Sequence, residues 1–175
     1  MKTHTSIFLI GPMGAGKTTI GRYLAQALQR DFYDSDREIE QRTGVTIPWI
    51  FDIEGEVGFR KREEIVIDEL SQIPGIVLAT GGGAMLSPLT QEKLTARGTV
   101  IYLTVPLLEQ QERVLRNQNR PLLYTQDLTD TLKKLQKERE AIYQSLADYT
   151  FCTSSDAPQT VMQQILAEIQ LTTAI

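Results

Sequence analysis

The chain has 175 residues, of which 41% are hydrophobic, with a formal net charge of −4, one cysteine and one histidine. A chain of this length buries about 70% of its unfolded surface, which is enough for one full core. Acids and bases are interspersed without a basic block, which argues against nucleic acid as a partner, and the lone cysteine excludes an internal disulfide.

Location and site chemistry are restricted further. No apolar run reaches the length of a membrane span, and the first strand begins so early that no signal peptide fits before it. We therefore expect a cytosolic monomer with no membrane partner. With His4 as its only histidine, the chain lacks a His-based triad or His-rich metal site, and Cys152 is expected to be a buried small apolar residue.

The first predicted strand, Ser6–Ile10, leads into a phosphate-binding loop. Residues 11–18 read GPMGAGKT and match the pattern G-x-x-x-x-G-K-[ST] in full, and residues 19–28 have helical apolar spacing. Glycines let backbone N–H groups close around phosphate oxygens, and the helix N-terminus adds a partial positive charge. In this motif Lys17 reaches the β- and γ-phosphates and the Thr18 hydroxyl binds Mg²⁺. The predicted nucleotide-binding residues of the loop are Gly14, Ala15, Gly16, Lys17, Thr18 and Thr19.

The later elements alternate between strand and helix. Strands are predicted at residues 32–33, 75–80, 99–104 and 148–152, and helices at residues 36–42, 48–51, 56–70, 88–97, 107–116, 129–146 and 158–171. Thr46 is the expected N-cap of the helix that has Pro48 in its first turn. Such alternation predicts a parallel sheet covered on both faces, with ligands beyond the carboxyl ends of its strands.

Two features after the loop bear on the class of nucleotide enzyme. A GTPase needs DxxG after a strand and an NKxD motif; residues 52–55 spell DxxG in a helical segment, and no NKxD is present. The acidic candidates are Asp34 and Asp36 after the second strand, where helix capping is the alternative role. The polar stretch 117–127 is longer than a helix connection needs, so it is either a mobile lid or a plain surface loop.

At this point the residues carry a family resemblance. The chain resembles the shikimate kinases in six segments in order, at family-like spacing: GPMGAGKTTIGR (11–22), FYDSD (32–36), EGEVGFRKREE (54–64), ATGGG (79–83), NRPLL (119–123) and KERE with a following Tyr143. The resemblance implies transfer of the ATP γ-phosphate to the 3-hydroxyl of shikimate. It also implies a three-layer α/β/α P-loop fold with a five-stranded parallel sheet, in one domain over 1–175, with a helical substrate-binding region near 35–62 and a lid at 117–127.

The same resemblance assigns roles in binding shikimate. Arg60 and Arg139 would hold its carboxylate as guanidinium forks, and Glu63, on the same helix face as Arg60, could fix the Arg60 side chain. Asp36 would contact the hydroxyls and take the reacting proton, and the Gly82 N–H would meet the substrate.

Further roles concern the nucleotide and the metal. Asp34 would bind Mg²⁺ through water, and Arg120 would move with the lid to the transferring phosphoryl group. Arg113 resembles the adenine-stacking arginine of the family, and Asp156 is placed at the nucleotide on a looser match. Two alternatives remain: a kinase of another small hydroxy acid such as gluconate, and a nucleotide-binding regulator without an acceptor.

Overall fold

The computed structural model describes residues 5–116, 127–154 and 157–173. Its strands are β1 (Ser6–Ile10), β2 (Phe32–Asp34), β3 (Val77–Ala79), β4 (Gly98–Thr104) and β5 (Tyr149–Cys152). Its helices are α1 (Lys17–Leu28), α2 (Ser35–Thr43), α3 (Ile47–Ser71), α4 (Pro88–Arg97), α5 (Leu107–Leu115), α6 (Leu128–Leu146) and α7 (Pro158–Thr173), with a short 3-10 helix at Ala84–Leu86.

The five strands form one parallel sheet in the order β2-β3-β1-β4-β5. β1 is central because the chain moves to one side of it for β2 and β3 and to the other for β4 and β5. The carboxyl end of β1 is therefore the point where the winding reverses, which is where open α/β sheets bind ligands.

Alternate residues of the strands feed two separate cores, which makes the fold three-layered. On one face Phe8 and Ile10 of β1 pack with residues of α2, α3, α4 and α6. On the other face Ile7 and Leu9 pack with residues of α1 and α7. Because successive side chains of a strand point to opposite faces, the continuous apolar run of β1 buries both sides of the sheet. The predicted fold class is confirmed.

The region predicted as two helices, 48–51 and 56–70, is one element with a kink. Inside α3, Gly55 has φ 70° and ψ −180°, outside the helical region, and the helix resumes after it. A positive φ of this kind suits glycine, which lacks the Cβ that other residues would have to accommodate. The DxxG letters at 52–55 thus lie within a helix, as expected, and Glu54 pairs with Arg62 at 2.6 Å.

One local prediction is wrong, and another is confirmed in position although its capping hydrogen bond is replaced. Cys152 is exposed, because β5 is an edge strand whose residues alternate between half-buried and exposed. Thr46 occupies the N-cap position of α3, but its side chain makes no capping hydrogen bond. The Glu40 carboxylate of α2 accepts the Ile47 N–H instead, at 2.9 Å, so a neighbouring helix caps α3. In the described part of the chain, the helices include none that is both long and apolar enough to cross a membrane.

Candidate active site

The phosphate loop follows β1 and is shaped by glycines. Gly11 has φ 141°, and a Cβ there would lie 2.3 Å from the Leu103 carbonyl oxygen; Gly14 and Gly16 also have positive φ. Lys17 is 8% exposed, and its Nζ donates to the carbonyl oxygens of Gly11 at 2.7 Å and Pro12 at 2.8 Å. The ammonium group is thus held by the carbonyl oxygens of its own loop.

Thr18 and Asp34 bring two oxygen ligands together at the mouth of this loop. The Thr18 hydroxyl donates to Asp34 Oδ2 at 2.6 Å. The other carboxylate oxygen, Oδ1, accepts the N–H groups of Asp36 and Arg37 at 3.1 and 3.3 Å, which caps α2. The same carboxylate therefore starts a helix and faces the nucleotide side, so the capping and metal-binding readings of Asp34 are compatible.

Two carboxyl groups meet above Gly81, where a side chain would collide with both. A Cβ on Gly81 would lie 2.3 Å from Glu63 Oε1 and 2.9 Å from Asp36 Oδ1. The Gly81 N–H donates to the buried Ser35 hydroxyl at 3.0 Å, which fixes the backbone in that place. Glu63 is only 2% exposed, and burial raises the pKa of its carboxyl to about 7 although Arg60 opposes this rise.

Arg60 lies between two acids and a glycine. Its Nη1 donates to Glu63 Oε2 at 2.7 Å, and its Nη2 donates to Glu56 Oε1 at 3.1 Å. A Cβ on Gly83 would lie 2.2 Å from Nη2, so the guanidinium packs against bare backbone. Burial alone would lower the pKa of Arg60, but Glu63 and Glu56 raise it, so Arg60 keeps its charge. The predicted contact between Glu63 and Arg60 is present.

Arg139 of α6 completes the cationic pair. It is 6% exposed, and its Nη1 lies 3.8 Å from the position a Cβ on Gly82 would take. One turn later Tyr143 donates its O–H to the Gly82 carbonyl oxygen. Burial raises the pKa of Tyr143 to about 12, so the phenol stays neutral and acts as a donor. α6 therefore positions both an arginine and the central glycine of the triplet.

Two clefts join at these residues. One, of about 500 Å³, is lined by Asp36, Arg60, Glu63, Gly82, Arg139 and neighbouring side chains. The other, of about 260 Å³, is lined by the phosphate loop and Arg113. The residues that line both are Thr18, Thr19, Asp34, Asp36, Gly81 and Gly82. A phosphate held by the loop would thus reach the larger cleft beside Asp36.

Arg113 of α5 lies beneath the phosphate loop. Its Nη1 donates to the Gly14 carbonyl oxygen and the Thr153 hydroxyl, both at 3.1 Å, and its Nη2 pairs with Glu109 at 3.2 Å. The Thr153 hydroxyl in turn donates to the Ala15 carbonyl oxygen at 2.8 Å. Arg113 therefore lies on the predicted nucleotide side, where it is fastened to the loop. Arg120 and Asp156 lie outside the described residues, as does the stretch 117–126.

Sequence reasoning placed the segment that begins at Thr153 near the nucleotide on a loose match but gave Thr153 no role of its own, and it missed an aromatic wall. Thr153 directly follows β5, so the rule that ligands gather at the carboxyl ends of strands could have found it. Phe51 and Phe59 line the larger cleft with ring centroids 4.8 Å apart. They lie on opposite sides of the kink at Gly55, which no helical spacing would reveal.

Comparison with known proteins gives a consistent result. The profile of the family described as "Shikimate kinase" matches residues 13–170. A curated shikimate kinase from Tolumonas auensis is 54% identical over 167 residues, covering 95% of this chain and 97% of the relative. The solved structure of shikimate kinase from Acinetobacter baumannii in complex with shikimate is 48% identical with a TM-score of 0.95, covering 98% of this chain and 96% of that one. That from Aquifex aeolicus is 36% identical with a TM-score of 0.82, covering 94% and 96%. The chain therefore belongs to the shikimate kinase family.

Proposed function

We propose that the joined clefts transfer the γ-phosphoryl group of ATP to the 3-hydroxyl of shikimate, a step towards chorismate and the aromatic amino acids. ATP-dependent phosphorylation of shikimate follows from membership of the family. The observation that supports these residue roles is the meeting of the two clefts. A phosphate-binding loop on one side and the pair Arg60 and Arg139 on the other converge on Asp36 and Gly82.

On the nucleotide side, the backbone of Gly14, Ala15 and Gly16 would surround the phosphates, with Thr19 at the mouth of the loop. Lys17 would exchange its loop carbonyls for the β- and γ-phosphates, where its positive charge opposes the charge of the transferring group.

The oxygen ligands at the loop mouth fit Mg²⁺, which prefers oxygen ligands and is bound in kinases by few side chains together with phosphates and water. The Thr18 hydroxyl and the Asp34 carboxylate, 2.6 Å apart, would hold it, Asp34 through water. When bound, the ion neutralises charge on the β- and γ-phosphates.

On the acid side, Arg60 and Arg139 would bind the planar carboxylate of shikimate, because guanidinium forks match a carboxylate in shape and charge. Asp36 would accept the proton of the reacting hydroxyl, and the Gly82 N–H would donate to the substrate. Asp36 suits this role because its backbone N–H is held by Asp34, which faces the phosphates from the other side.

The remaining roles rest on the resemblance. Arg120 would neutralise the transferring phosphoryl group, Arg113 would stack on adenine, and Asp156 would bind the nucleotide. Arg120→Ala should lower kcat more than it raises the KM for shikimate. An unchanged kcat would remove Arg120 from the reaction. We further propose a cytosolic monomer that binds neither nucleic acid nor membrane.

The proposed function is tested by coupled ADP release with shikimate, quinate and gluconate as acceptors. We expect the highest kcat/KM with shikimate, since the paired arginines and Asp36 lie in one cleft. A preference for gluconate would indicate a kinase of another hydroxy acid. ADP release that no acceptor stimulates, with ATP still bound, would indicate a nucleotide-binding regulator.

A further inference from the structure

Among the charged residues that line the cleft opposite the phosphate loop, four whose charges cancel one another lie around the glycines at 81–83. Arg60 and Arg139 supply two positive charges, and Asp36 and Glu63 supply two negative ones. The four come from three helices: Asp36 from α2, Glu63 and Arg60 from α3, and Arg139 from α6. A substrate carboxylate brings a third negative charge into this cluster, which favours the uptake of a proton by one of its members.

Glu63 is the member of the cluster best placed to change its charge. It is 2% exposed, and its Oε1 has no hydrogen-bond partner among the described residues. This oxygen points over Gly81 towards Asp36, where a second carboxylate disfavours ionisation. Only Oε2 is compensated, by Arg60 at 2.7 Å. When one oxygen of a buried carboxylate accepts no hydrogen bond, the desolvation free energy of the charged form is larger than that of the protonated form.

Among the groups around Glu63, the arginines, Tyr143 and Glu56 do not offer the same option. Arg60 and Arg139 cannot lose their protons at any ordinary pH. Tyr143, one turn beyond Arg139, keeps its proton because its pKa is raised to about 12. Glu56 binds the outer side of Arg60 but is half exposed, so water solvates its charge.

When the substrate binds, it shares Arg60 with Glu63, and this raises the proton affinity of Glu63 further. A carboxylate that takes donors of Arg60 competes with Glu63 Oε2 for the same guanidinium, and it adds like charge nearby. Both changes raise the affinity of Glu63 for a proton. Its pKa of about 7 before binding means that even a modest rise takes up protons near neutral pH.

We propose that Glu63 takes up a proton when shikimate binds, so that substrate affinity is coupled to pH through this one residue. The inference rests on the proposed function, because it takes the arginine pair as the carboxylate site. Glu63 acts here through Arg60 as a positioning residue. Its protonation releases Arg60 for the substrate and keeps the charge of the cluster balanced.

The coupling is measured by titration calorimetry with shikimate and no ATP, in phosphate and in Tris at one pH. The difference in apparent heat between buffers of different ionisation enthalpy gives the number of protons taken up. We expect a fraction of a proton between pH 7 and 8.5, falling towards zero at pH 5.5, where Glu63 already carries its proton. Above its pKa, the Kd should rise with pH by up to about tenfold per unit.

Glu63→Gln should remove both the proton uptake and the rise in Kd, since the amide resembles the protonated acid and does not titrate. Glu56→Gln is the matched control: it removes the other partner of Arg60 and should leave the uptake as in the wild type. Uptake that persists in Glu63→Gln, or is lost equally in Glu56→Gln, would overturn the inference.

The wild-type titration alone also decides the matter if Glu63→Gln does not fold. Binding with no proton uptake anywhere between pH 5.5 and 8.5 would overturn the inference and leave the proposed function intact. Failure to bind shikimate at all would overturn the proposed function, and the inference with it.

Discussion

The two sides of the active site are built in different ways. The nucleotide side is backbone: glycines with positive φ, a helix N-terminus and carbonyl oxygens that hold Lys17. The acid side is a cluster of charges: Glu63 and Arg139 are buried, Arg60 and Asp36 are partly buried, and the four depend on one another. The residues of the nucleotide side are contiguous in sequence, whereas those of the acid side come together only when three helices pack.

This difference teaches where each side is vulnerable. A backbone site tolerates changes around it as long as its own loop is kept, because its donors are covalently next to each other. A cluster of buried charges fails when any member is removed, because the others lose their compensation. Substitutions on the two sides should therefore affect different substrates, and the acid side alone should respond to pH near neutrality.

Lys17→Ala should have the largest effect and abolish turnover. It removes the charge proposed to bridge the β- and γ-phosphates, with nothing else in the loop to replace it. The comparison predicts that shikimate binding without ATP survives, which calorimetry can show. Lys133→Ala, on the exposed face of α6, is the control. Turnover within tenfold of wild type in Lys17→Ala would break the assignment of the loop.

Asp36→Asn should keep ATP binding and lower kcat by about 10²–10⁴-fold, the usual worth of a positioned general base. The amide has the same size but cannot accept the proton. Steady-state kinetics at saturating shikimate, with ATP affinity measured separately, check this. Loss of ATP affinity with an intact kcat would move Asp36 to the nucleotide side.

The sequence predicted the two sides unequally, for the same reason. The phosphate loop, the sheet and most helix bounds followed from local pattern, because each is decided by residues close in sequence. The contact between Phe51 and Phe59 could not be found this way, since it depends on the kink at Gly55. Thr153 could have been found from its position directly after β5. The burial of Cys152 was predicted wrongly because the sequence pattern does not show which strand lies at the edge of a sheet.

Glu63→Gln should change how stability depends on pH. The pKa of Glu63 is raised in the folded state from about 4.5 to about 7. Its contribution to stability is therefore fully present below pH 4.5 and is lost as pH rises through 7, by about 3 kcal/mol. Urea unfolding from pH 4.5 to 8 should show this loss in the wild type and not in the variant. Exposed Glu54→Gln is the control; equal pH profiles for wild type and Glu63→Gln would contradict the prediction.

Arg60→Lys should weaken shikimate binding by about 1.5–3 kcal/mol, the worth of a hydrogen bond to a charged group, and leave ATP binding nearly unchanged. Lysine keeps the charge but loses the fork that serves Glu63 and the substrate together. Arg62→Lys is a matched control two residues away, since Arg62 pairs with Glu54 outside the clefts. Equal losses of affinity for shikimate and for ATP would contradict the assignment of Arg60 to the acid side.

Thr153→Val should have the smallest effect. It tests whether residues distant in sequence stabilise the phosphate loop. The buried Thr153 hydroxyl lies 2.8 Å from the carbonyl oxygen of Ala15 and 3.0 Å from that of Thr104, which share its single proton, and it accepts from Arg113. Valine has nearly the same shape, so the variant removes these hydrogen bonds without opening a cavity.

A net loss of about 1 kcal/mol is expected for hydrogen bonds of this kind, which corresponds to about a fivefold higher KM for ATP. The KM for shikimate should not move, because the hydrogen bonds of the Thr153 hydroxyl within the described residues go to the phosphate loop, β4 and Arg113. Thr95→Val, whose exposed hydroxyl donates to the Gln91 carbonyl within α4, controls for the substitution itself. If the KM for ATP stays at its wild-type value, the phosphate loop holds its shape from its own sequence alone. If both KM values rise together, the nucleotide side and the acid side are structurally coupled through β4, and substitutions on one side affect both substrates.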